Sequence, residues 1–129
     1  MSPLTRWLLI GAGGWALFTV LFRFIGHYLF PVDIVVLTVV FLVMPVVLYF
    51  ATRPVLRLIG ARPDQFPLAA AAIVVPGMIL DAIVVANLRI VLPNIDRSLD
   101  GTMGSFLLLA YASILVASIV DRDGAVWGR

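Results

Sequence analysis

The sequence predicts an all-α protein, a bundle of four transmembrane helices with both termini on the cytoplasmic side. Three observations lead there. Of 129 residues, 63% are hydrophobic and 12% charged, against about 25% charged in a soluble domain, and a domain this small buries too little of its surface to hide the excess. Four apolar stretches, at about residues 6–30, 33–51, 67–92 and 102–120, reach or approach the ~20 residues that a membrane helix needs. With the termini inside, Arg6, Arg53, Arg57, Arg62, Arg122 and Arg129 fall on the cytoplasmic side and only Arg97 in the opposite loops, the bias that orients short-looped membrane proteins.

The first span starts almost at Met1 and is longer than the roughly 7–15 apolar residues of a signal peptide, with no Ala-x-Ala at its end, so it is expected to stay in the mature chain. A tight turn at Phe30-Pro31-Val32-Asp33 follows, with Asp33 placed to cap the second span. That span contains Pro45. The linker at 52–66 is the longest, and Arg53, Leu56, Arg57, Leu58 and Ile59 predict an interfacial helical turn after Pro54. Pro76-Gly77 interrupts the third span, and Pro93-Asn94-Ile95-Asp96 opens a polar turn that ends near Gly101, before the fourth. Membrane strands are excluded because the apolar runs are about twice the length a barrel strand needs and lack its alternation. Trp7 and Trp127 fall at the inner interface and Tyr28 at the outer one, where amphipathic rings settle. Residues 1–129 form one transmembrane domain.

Composition also narrows function. With no cysteine and a single histidine, His27, the chain offers no disulfide, thiolate metal site or bis-histidine haem site, so no cofactor or metal is expected. The arginines are scattered, which excludes a nucleic-acid stripe. No Ser/His/Asp group or paired carboxylates is present, and no enzymatic activity is expected. Gly11-Ala12-Gly13-Gly14-Trp15-Ala16 matches a dinucleotide-binding pattern in letters only, since it follows no strand and lies in an apolar span. All basic residues are Arg and all acidic residues Asp, which fits GC-biased bacterial codon usage.

Ionisable groups at membrane depth are the candidates for function, because each is costly unless paired or hydrated. Asp81 is the deepest. Thr19, Arg23 and His27 are four apart in series and make one polar stripe on the first helix, and Asp81, Val85 and Arg89 share a face of the third. Both helices run outward, so the stripes converge on the outer half. Two readings follow. Either Asp81 and Arg23 form a buried ion pair that fixes packing, or Asp81, Arg23 and His27 line a hydrated cavity for a proton, ion or anionic group. Pro76 and Gly77, one turn before Asp81, are candidates for a kink or hinge, as is Pro45 more weakly. Asn87 lies on a different face from Asp81. Gly11 to Gly14 and Ala69 to Ala72 allow close helix contact, within the chain or in a homodimer. Ser105, Tyr111, Ser113 and Ser118 offer hydrogen bonds across helices from the fourth.

Arg23-Phe24-Ile25-Gly26, Pro76-Gly77-Met78-Ile79-Leu80-Asp81 and Pro93-Asn94 resemble a family of small four-helix bacterial inner-membrane proteins catalogued only as a domain of unknown function, over roughly residues 4–120. The resemblance implies a bacterial inner-membrane location and the same four-span fold, and no activity. Small multidrug exporters carry an acidic residue in the first span, where this chain has Arg23, and the Asn and Phe patterns of fluoride channels are missing. Two functions therefore compete. One is a structural, assembly, partner- or lipid-binding membrane protein whose partners are membrane lipids and a second copy. The other is a transporter or channel subunit built on Arg23, His27, Asp81, Arg89 and Thr19.

Overall fold

The computed structural model describes residues 1–120. Trp127, Arg122 and Arg129 therefore lie outside the described residues. The chain is all-helical there, and four of its helices are long and apolar enough to cross a membrane.

Helix α1 (Pro3–Leu29) starts where the Ser2 hydroxyl accepts the Thr5 N–H at 3.2 Å and Pro3 supplies a preset first turn. Helix α2 (Ile34–Leu58) is capped as expected by Asp33, which accepts the N–H groups of Val35 and Val36. It differs from expectation at its far end, running through Pro45 and Pro54 to Leu58 in one helix instead of stopping near residue 51. A left-handed glycine stops it: Gly60 has φ +88°, its N–H donates to Arg57 and that of Ala61 to Leu56. This is the paired C-terminal bonding that glycine permits at no steric cost, with Leu56 and Ala61 buried together.

A 3-10 turn (Pro63–Gln65) leads into α3 (Phe66–Ala86), which passes Pro76 without a break. The third apolar stretch is not one helix to residue 92. Asn87 ends α3, with its backbone N–H and side-chain Nδ2 both directed at the Ile83 carbonyl, and a single turn, α4 (Leu88–Val91), follows. Asn87 thus serves as a helix terminator. After a second 3-10 turn (Arg97–Leu99), helix α5 (Asp100–Ile119) returns.

The long helices pack in the order α1, α3, α5, α2, and the consecutive α1 and α2 touch little. Helices α3 and α5 supply most of the interior and α1 and α2 face largely outward. One apolar cluster fills the distal half, with Phe30, Val84, Leu88, Leu92, Leu99 and Phe106 at its centre. The other sits at the end that carries the N-terminus, around Trp7, Leu56, Phe66 and the alanines of α3. Trp7 is thus packed into the core at that end, 2% exposed, with no partner for its Nε1 among the described residues.

Candidate functional site

Between the two clusters lies the point where α1, α3 and α5 exchange polar contacts. Its register begins with Gly11, which meets α3 so closely that a Cβ would fall 2.2 Å from the Ile73 carbonyl oxygen. Ala69, Ala70 and Ala72 are buried in the same region. The small residues of these two helices are therefore used inside the chain. Gly13 and Gly14 take no part, since a Cβ at either would meet nothing within 4 Å among the described residues.

Asp81 lies eight residues beyond Ile73, level with Thr19 eight beyond Gly11, so Trp15 and Arg23 flank it by one turn, about 6 Å, on either side. Trp15 wins. Its Nε1 donates to Asp81 Oδ1 at 2.8 Å, and the Tyr111 hydroxyl donates to Oδ2. The Asp81–Arg23 ion pair, one of the two readings of the sequence, is not formed. Arg23 instead donates to the carbonyls of Val91 (2.9 Å) and Ile90 (3.4 Å), groups left open where α4 ends ahead of Pro93. One turn further, Asn94 Nδ2 bridges the Phe22 carbonyl (2.8 Å) and His27 Nδ1 (3.2 Å). The polar stripe of α1 does meet the distal end of the third stretch, but it grips backbone and Asn94, and none of Thr19, Arg23 and His27 lines the groove beside Asp81.

Thr19 is half-buried with no side-chain bond among the described residues. Arg89 is exposed at the distal rim, beside Asn87, Arg97 and Asp100 around a hollow of about 290 Å³. Gly77 is buried directly under Tyr111, whose hydroxyl oxygen would lie 2.9 Å from a Cβ there, so its smallness admits the tyrosine. Of the polar side chains of α5, Tyr111 alone bonds across helices among the described residues, since Ser113 and Ser118 bond the Leu109 and Leu115 carbonyls of their own helix.

Trp15 and Tyr111 are the residues that sequence reasoning underrated. The signal was there: an indole N–H and a phenol O–H in mid-span have no water to bond. Together these two side chains surround the Asp81 carboxylate with neutral donors from two other helices. A lateral groove of about 250 Å³ between α3 and α5 runs past it, walled by Met78, Val85, Gly104 and Leu108. Among the described residues no cluster of three metal-ligating groups occurs.

A family model described as a family of unknown function, DUF5367, matches residues 29–124. The match covers the Pro76–Asp81 and Pro93-Asn94 motifs and leaves out most of α1, including Arg23 to Gly26. No curated protein and no solved structure matches the chain.

Proposed function

We propose that this chain, which belongs to the family of unknown function DUF5367, is a non-catalytic membrane protein that works by binding lipid or a protein partner and not by moving a solute. The observation that carries this reading is that both oxygens of the deepest carboxylate are engaged by donors from two other helices. Such a group ties α1, α3 and α5 into one unit, whereas a proton or ion carrier needs a carboxylate that can exchange its partner. We further propose a bacterial inner membrane with both termini cytoplasmic. Arg6, Arg53, Arg57 and Arg62 at the N-terminal end, against Arg97 in the distal turns, support that orientation. Membrane lipids and a second copy are the partners in this reading, and nucleic acid is not.

A transport reading draws on one observation, the groove that runs beside Asp81 and Tyr111. Reconstituted vesicles with an internal pH dye separate the two. Proton movement no faster than in protein-free vesicles, together with a lowered melting temperature for Asp81→Asn, is expected. Flux that disappears in an Asp81→Asn protein melting like wild type would establish transport instead. Orientation is checked with Ser98→Cys and Asp64→Cys in this cysteine-free chain: an impermeant maleimide should label the first in whole cells and not the second.

A further inference from the structure

Val85 lines both the distal hollow and the lateral groove, so the two adjoin at that residue along a path from a charged rim to an apolar groove. Neither guanidinium at the rim, Arg89 or Arg97, is held in an ion pair among the described residues. Asp100 lies in the same hollow, with one oxygen taking the Gly101 N–H at 2.7 Å. The neighbouring Asp96 directs its Oδ1 to the N–H and hydroxyl of Ser98. Below the rim one face of α5 is open: among the described residues a Cβ at Gly101 would meet nothing within 4 Å, and one at Gly104 only Val85 at 3.8 Å. From Asp100 to Tyr111 the helix rises about 16 Å, close to the ~15 Å hydrocarbon depth of one leaflet.

We propose that this path is a binding site for a single phospholipid bearing a primary ammonium, of the phosphatidylethanolamine class. Its phosphate sits between Arg89 and Arg97, its ammonium donates to Asp100, and one acyl chain lies over Gly101, Gly104 and Leu108 with its end near Tyr111. Two cations beside one carboxylate match a phosphate and an ammonium on the same headgroup. A choline headgroup has no N–H to give Asp100, and a glycerol headgroup has no cation to place there. The inference rests on the binding reading above and names its ligand.

The test is native mass spectrometry and thermal melting of the purified full chain in detergent with added phosphatidylethanolamine, phosphatidylcholine or phosphatidylglycerol of identical acyl chains. A retained one-to-one adduct and the largest melting shift are expected for phosphatidylethanolamine. Arg89→Gln with Arg97→Gln should weaken retention of that lipid about tenfold, and Asp100→Asn should bring it down to the level of phosphatidylcholine. Gly104→Leu, which fills the groove without touching a charge, should also remove the adduct, so a misfolded arginine variant leaves the site testable. Equal retention of all three lipids, or a stronger effect of phosphatidylglycerol, overturns the proposal. Proton flux in the vesicle assay would count against the binding reading itself and leaves the lipid selectivity to be judged separately.

Discussion

The indole nitrogen of Trp15 donates to Oδ1 of Asp81 across 2.8 Å, joining α1 to α3 at mid-span while the Tyr111 hydroxyl brings α5 to the same carboxylate. Removing either donor is expected to loosen the same unit. Trp15→Phe and Tyr111→Phe should each lower unfolding free energy by about 1–2 kcal/mol, the range for single hydrogen bonds in proteins and between membrane helices. Because both act on one carboxylate, the double variant should depart from additivity by at least about 0.5 kcal/mol. Denaturant unfolding in mixed micelles measures this, and strictly additive losses would show that the two bonds do not form a unit.

The backbone approach of α1 to α3 gives a sharper contrast. Gly11→Ala places a methyl against the Ile73 carbonyl, a backbone atom that cannot swing aside, and should destabilise by about 1–3 kcal/mol, the cost of overpacking. Gly13→Ala enters open space and should stay within about 0.5 kcal/mol of wild type. Equal melting temperatures for the two variants would contradict this contact.

At the N-terminal end of the bundle, Arg53 is only 8% exposed, donates Nε to the Ala117 carbonyl at 3.1 Å and lies over the Phe66 ring at 5.7 Å. It therefore closes the end of α5 as well as carrying charge. Arg53→Leu should lower stability by about 2 kcal/mol, with Arg53→Lys recovering only part because the planar guanidinium is lost. The exposed Arg57→Gln should change stability little. If both positions respond alike in a thermal melt, the packing role of Arg53 is wrong.

The distal turn offers a pH readout. The Ser98 hydroxyl and N–H hold the Asp96 carboxyl below the ordinary aspartate value. The sign follows from the depressed folded-state value: this small stabilisation is fully present above the ordinary aspartate pKa and is lost as pH falls through the folded one. Ser98→Ala should raise the midpoint of the Asp96 carboxyl carbon signal in an NMR titration, and an unmoved midpoint would rule out the hydroxyl as its cause.

The legible part of this protein lies along one direction, the membrane normal. Apolar run lengths located four helices, Asp33 announced its own cap, and mid-span position marked Asp81 as the deepest charge. Helix ends were read less well, because what stops them is local bonding that run length does not report: α2 runs past residue 51 until the left-handed Gly60 stops it after Leu58, and Asn87 halts α3 before Leu92. The convergence of Arg23 and His27 on the distal end of the third stretch was foreseen, but their partners were not.

Sequence alone determined that the chain is a four-helix membrane protein with a costly carboxylate in mid-span, since a bilayer dictates helix length and makes every buried charge conspicuous. Tertiary structure decided what that carboxylate meets. Trp15 and Arg23 flank Asp81 at equal axial distance, and the choice between them depends on how α1 is rotated and on which neighbours each helix has. Close contact of Gly11 with Ile73, the seat for Tyr111 over Gly77, and open carbonyls at Ile90 and Val91 settled it. These are properties of packing around the helix axis, and spacing along the chain is the same whichever way the helices turn.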